Sequence, residues 1–270
     1  MAKFMKLPVG DADVGRRTLC VAIDETGDEE FKSRERFFAI GGVAGLGVEL
    51  LRAEQQWQKM KSLSFGGPDM PIHASDKILS REKLDAISEF FKKSRLVRFV
   101  YIIRRPPVMP PSINALHILR PMLLEELARA VGDMPVLPDD IVISIEASER
   151  LSPKIIGAFP PMSMTVDGRR IPMVGLFTPK LPPKPLLEMA DQVAWRAQRQ
   201  YKEYNPKDEI MPEFVSVFPR NLPHARYKEI RVASISSGSE PRRTLYFDEK
   251  DRVSVELKWG EPAVGNDGPT

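Results

Sequence analysis

Apolar and polar positions along this chain fall into short blocks with abrupt edges. Residues 19–23 (LCVAI) are apolar throughout, and Asp24 and Glu25 close the run. An apolar run of this length, bounded by turn residues, reads as a strand buried on both faces. Residues 37–43 (FFAIGGV) read as a second strand, the hairpin partner of the first. Residues 47–61 carry Leu50, Leu51, Trp57 and Met60 on one side of a helix. A further helix starts at Ser80, with Leu84, Ile87, Phe90 and Phe91 at helical spacing. Strands are predicted over 96–103 and 141–146, a long helix over 114–131 that Pro121 kinks or restarts, and a last strong helix over 186–201. Residues 150–185 read as irregular, apart from a hairpin around Asp167-Gly168. Residues 205–235 read as peripheral, and 244–247 with 253–257 as a terminal hairpin before a frayed tail from Gly260.

The order is an antiparallel hairpin followed by helix-linked strands. It predicts an α/β fold with a mixed sheet, the hairpin continued by parallel strands, flanked by helices. At 270 residues one domain over 18–235 is expected, with an N-terminal arm over 1–17 and a C-terminal hairpin and flexible tail over 236–270. The 25 prolines, near twice the usual ~5%, cluster in RPPVMPPS, AFPPM and TPKLPPKP, and these read as loops between elements. A net charge of +3 neither requires nor opposes a nucleic-acid partner. The one cysteine, Cys20, lies inside the first apolar run, so no disulfide framework exists and a reducing compartment is expected. With neither a signal peptide nor an apolar run of membrane-spanning length, the expectation is a soluble cytoplasmic protein.

The candidate chemistry lies in carboxylates that end buried elements. The strand IVISIE repeats the design of the first: apolar residues, then Glu146. Strand alternation puts Asp24 on a face with Cys20 and Ala22, and Glu146 with Val142 and Ser144. If the two strands are parallel neighbours, their ends lie ~5 Å apart. Two carboxylates at that distance repel unless a proton or a cation lies between them, and Mg²⁺ or Mn²⁺ prefers such oxygen ligands. Asp191 borders the apolar stripe of the last helix, where aspartate is disfavoured, and Glu188 lies one turn earlier on nearly the same side. Each acid also has a plainer reading: Asp24 as a turn former, Glu146 paired with Arg150, Asp191 paired with Arg196. His73, in MPIHASD, is either a loop histidine or a general acid/base beside the acids. Asp76 serves as a cap, and His117 and His224 read as packing and periphery. The last helix also presents Trp195, Arg196, Arg199 and Lys202, suited to phosphates and bases or simply to solvent.

These motifs, in this order, resemble the family of uncharacterised domains catalogued as number 3800, whose members look like ribonuclease H-fold proteins. VAIDETGD matches its strand followed by Asp-Glu-Ser-Gly-Asp, with Thr26 for Ser, and FFAIGGV its second strand. PIHASD matches at His73 and Asp76, with Pro71 where an acid is common. Glu146 stands where the later strand ends in Asp, and Ala190-Asp191 matches the closing helix. The resemblance covers about residues 18–204. It implies a ribonuclease H-like fold and a nuclease using two divalent ions, Mg²⁺ or Mn²⁺, on DNA or RNA. Asp24, Glu146 and Asp191 would hold the metal with Glu25 as a fourth ligand, and His73 would assist proton transfer or contact phosphate. Arg196, Arg199 and Trp195 would bind substrate. The competing readings are an actin-like phosphotransferase or ATPase, which lacks a second phosphate loop here, and a non-catalytic binding module.

Overall fold

The structure, a computed structural model, describes residues 5–6, 13–28, 37–75, 79–104, 127–128, 130–146, 162–178, 184–203, 225–237, 242–247 and 253–259. Its strands are β1 (Met5–Lys6), β2 (Asp13–Val14), β3 (Leu19–Gly27), β4 (Phe37–Leu46), β5 (Val97–Arg104), β6 (Ile141–Glu146), β7 (Met162–Val166), β8 (Arg169–Thr178), β9 (Ala225–Ser237), β10 (Arg242–Phe247) and β11 (Val253–Trp259). The helices are α1 (Gly47–Ser64), α2 (Arg81–Lys93) and α3 (Pro185–Glu203). β1 and β2 form a small ribbon, and the other strands form one mixed sheet in the order β10-β11-β9-β5-β4-β3-β6-β8-β7.

β3 is central. It runs antiparallel to β4, which runs antiparallel to β5, and on its other side β6 and then β8 are parallel to it. This is the expected α/β architecture, an antiparallel hairpin continued by parallel strands and flanked by helices. The β3–β6 register sets Leu19 opposite Ile141 and Ile23 opposite Ile145. It is pinned at its start, where the Leu19 N–H donates to the Asp140 carbonyl at 2.9 Å and the Thr18 hydroxyl donates to the Asp140 carboxylate. A slip of one residue would turn every β3 side chain to the opposite face, so this pin decides what the strand end presents.

One face of the sheet carries α1, α2 and α3. Cys20, Ala22, Ala39, Val43, Val100 and Val142 meet Leu50, Trp57, Phe90, Phe91, Ala190 and Val193 there in one continuous core. Each large side chain so buried contributes about 1.5–3 kcal/mol. Trp57 packs edge-on against Phe90, with ring centroids 4.8 Å apart. Beneath α3 the residues are small for a reason. A Cβ on Gly41 would lie 2.6 Å from the Ala194 Cα and 2.7 Å from its nitrogen, so glycine lets the helix backbone settle on the sheet. Cys20 is buried in this core, and burial with the nearby Asp140 charge pushes its thiol up to about 12, the inert core residue expected.

Several sequence expectations meet this structure closely. Ser80 caps α2, its hydroxyl accepting from the Lys83 N–H at 3.4 Å. Asp167 and Gly168 both take positive φ, 49° and 75°, as the tight turn between β7 and β8 demands. The terminal hairpin forms as β10 and β11. Two expectations are corrected. The hairpin expected at Asp167-Gly168 is longer than a local turn in an irregular stretch, with strands over 162–166 and 169–178, and its second strand extends the parallel side of the sheet. Residues 225–237 are not peripheral but a strand pairing parallel with β5. Most of the helix expected over 114–131, together with Asp76, His117, Arg150 and His224, lies outside the described residues. Among the described residues no helix is long and apolar enough to cross a membrane.

Candidate functional site

The site assembles where β3, β6 and α3 meet. Asp24 follows Ile23 on β3 and Glu146 follows Ile145 at the end of β6, so the two acids lie just past the last pair of these neighbouring strands, on the same face. α3 crosses that face with Ala194 against Gly41, and Gly41 is the β4 residue paired with Asp24. Asp191 lies about one helical turn before this contact. Segments far apart in sequence thus bring carboxylates within electrostatic reach of Asp24. The carboxyl of Asp24 registers all of them: burial raises it well above the ordinary range, and the charges of Asp191, Glu25 and Glu146 raise it further. The Glu25 N–H, donating to Asp24 Oδ1 at 2.8 Å, opposes the rise without cancelling it.

Glu25 differs from the other three. β3 continues through it to Gly27, so alternation assigns it to the face opposite Asp24, and it reaches Asp24 through charge.

His73 is half-buried and lines a small pocket with Glu146, Asp191, Glu188 and Lys184. It belongs to a short segment between α1 and α2 whose flanking residues, Ile72 and Ala74, are buried. Both are held by α3: the Ile72 N–H donates to Glu188 Oε1 at 2.9 Å and the Ala74 N–H to Asp191 Oδ2 at 2.8 Å. Glu188 also accepts from the Trp57 indole at 2.7 Å and from the Lys61 ammonium at 2.9 and 3.0 Å. Lys61 and Glu188 are only 1% and 6% exposed, a buried ion pair that patterning alone did not reveal.

The basic and aromatic residues of α3 are placed differently from a solvent-facing strand contact. Arg196 is 2% exposed, donates to Gln192 Oε1 at 3.1 Å and stacks 4.7 Å from the Trp195 ring, so its guanidinium lies in the interior. Trp195 is half-buried, and the Arg199 and Lys202 side chains lie outside the described residues.

The donor set is all carboxylate, which suits a hard divalent cation, and a cation would relieve the repulsion at Asp24. Among the described residues, however, no group of three or more His, Cys, Asp or Glu side chains is gathered closely enough to hold a metal ion.

A second buried acid lies on α1. Glu54 is 5% exposed and its Oε1 has no hydrogen-bond partner among the described residues. Burial pushes its carboxyl up to about 7 from 4.5, and the charge of Lys184 opposes this. Because the folded value lies above the unfolded one, Glu54 contributes stability below about pH 4.5 and loses it as pH rises through about 7. The stability difference between wild type and Glu54→Gln is therefore expected to change by on the order of 2 kcal/mol across that window. Urea unfolding at pH 4.5 and pH 8 measures it, and equal differences at the two values would refute it.

No family model matches the chain, so the resemblance to the family numbered 3800 stands on its motifs alone. No curated protein matches it either. Among solved structures, the ribonuclease H2 of Pyrococcus horikoshii OT3 is similar at 11% identity over 73% of this chain and 83% of that one, with a TM-score of 0.31. A TM-score that low does not argue for a shared function.

Proposed function

We propose that this protein is a metal-dependent nuclease that hydrolyses phosphodiester bonds with carboxylates drawn from β3, β6 and α3. One observation carries the reading: the charges of Asp191, Glu146 and Glu25 converge on the buried carboxyl of Asp24, beside a pocket that His73 lines. Acids gathered around a carboxyl that burial already disfavours cost stability, and such sites are where function concentrates. Asp24, Glu146 and Asp191 would hold Mg²⁺ or Mn²⁺, with Glu25 adding negative charge from the other face of β3. When bound, the ions supply positive charge for the phosphate oxygens and a more acidic water. The chain's own residues do the rest. Asp24 and Glu146 hold their carboxylates where the pairing of β3 with β6 ends, Asp191 is oriented by the Ala74 N–H, and His73 moves a proton at a ring nitrogen. The substrate would be DNA or RNA, with Trp195 and Arg199 as its candidate contacts.

A second reading, a non-catalytic binding module, is favoured by the absence of a closed three-residue metal shell among the described residues. One experiment separates the two: a Mn²⁺-dependent cleavage screen over single- and double-stranded DNA, RNA and hybrids, run beside Asp24→Asn. Cleavage by the wild type and a loss of ~10²–10³-fold in the variant are expected, since metal charge stabilisation amounts to several kcal/mol. The variant should also melt higher in metal-free buffer, because it removes a charge that its neighbours repel. Undiminished cleavage by Asp24→Asn would place the site elsewhere. A melting midpoint of the wild type indifferent to millimolar Mn²⁺ would favour the binding module.

A further inference from the structure

We propose that Glu188 is a positioning residue that, with Asp191, clamps the His73 segment to α3. The inference rests on the nuclease reading in so far as His73 and Asp191 serve one reaction. Glu188 and Asp191 stand three residues apart on the helix, a rise of ~4.5 Å. In an extended segment the N–H groups of residues i and i+2 lie on one side, ~6.5 Å apart. Two acceptors one turn apart, the longer side chain at one end, can therefore catch alternate N–H groups of such a segment. The structure has that arrangement: Ile72 N–H on Glu188 at 2.9 Å, Ala74 N–H on Asp191 at 2.8 Å, and His73 between the anchors, lining the pocket.

Glu188 also lines that pocket, but its chemistry differs from that of Asp191. Its two oxygens accept four hydrogen bonds, from Trp57, Ile72 and twice from Lys61. Those contacts use its lone pairs and its charge, which makes it a poor ligand for a cation and a rigid peg for the segment. α1 sets the rotamer of the peg, the peg sets Ile72, and the Ala74 N–H orients the Asp191 carboxylate. The histidine and one acid of the site are thereby placed by a single helix and cannot drift independently.

The test compares two double variants of the full chain, both lacking the buried charges. Lys61→Met/Glu188→Gln keeps an oxygen that accepts from the Ile72 N–H, whereas Lys61→Met/Glu188→Leu removes it. With Mn²⁺ and a cleavable nucleic acid, the Leu variant should lose ~10²-fold in kcat with KM within about twofold, and the Gln variant should recover most of the loss. NMR hydrogen exchange on the wild type gives a second measurement that no folding defect can mask. The Ile72 and Ala74 amides should both be protected, and an Ile72 amide exchanging like an unstructured one overturns the clamp. Equal kcat in the two double variants also overturns it, whatever the metal response. Survival of activity in Asp24→Asn overturns the nuclease reading instead, and leaves the exchange measurement to decide the clamp.

Discussion

Glu188→Leu, made alone, is expected to destabilise the protein by about 3–5 kcal/mol, a large share of the ~5–15 kcal/mol that native proteins have. The reason is what stays behind. Lys61 is 1% exposed, and its ammonium would lose both bonds to Glu188 while remaining in the core. The Trp57 indole and the Ile72 amide would be orphaned with it, each at about 1–3 kcal/mol. Partial relaxation keeps these costs from adding in full, which is why the expected range stops near the value for a broken buried pair. Urea or thermal unfolding followed by circular dichroism measures the effect, and a loss under about 1 kcal/mol would mean that Lys61 finds water. Removing both charges together leaves no stranded ion, so the double variants are expected to be far more stable than this single one.

Gly41→Ala should cost about 3 kcal/mol and should disable the site as well. A Cβ at this position meets the Ala194 Cα at 2.6 Å, its nitrogen at 2.7 Å and its Cβ at 2.9 Å. Two of these are backbone atoms, which have no rotamer to give, so α3 must lift from the sheet. Overpacking of this kind ordinarily costs about 1–3 kcal/mol, and a clash with helix backbone belongs at the upper end. Asp191 rides on the lifted segment, so the influence of its charge on Asp24 weakens with the displacement. Gly67→Ala serves as the control, since its nearest neighbour to a new Cβ is the Met70 Cγ at 3.8 Å. Equal unfolding midpoints for the two variants would refute the close packing of α3 on β4.

The sequence disclosed the parts of the fold that depend on local pattern. β6 is short, apolar and closed by Glu146 where the pattern puts it, whereas β3 begins where expected but runs on through Asp24 and Glu25 to Gly27. β8 escaped because Pro172 and Gly175 interrupt its run, and proline demotes a segment to edge or loop. Here Pro172 pairs with Ser163 of the outermost strand, where the sheet tolerates it. β9 escaped because its charged residues mask any clean alternation. At the site, Asp24, Glu146 and Asp191 were legible as acids at the edge of apolar runs. The Lys61–Glu188 pair was not, because a lysine near a helix end ordinarily reads as solvated and its partner is 127 residues away. Arg196 was misjudged by the same habit: the spacing suggested a cation for phosphates, and the fold turned it inward onto Gln192.

The central place of β3 also bears on synthesis. Its first neighbour, β4, follows it closely in the chain, but the Thr18–Asp140 bond that begins its pairing with β6 spans 122 residues. While the ribosome works through that interval, the far side of β3 is an apolar strand edge with unpaired backbone groups, the kind of surface on which chains aggregate. The acids that follow its apolar run are then assets of another sort: charge on an open edge discourages a second nascent chain from adding to it until β6 arrives.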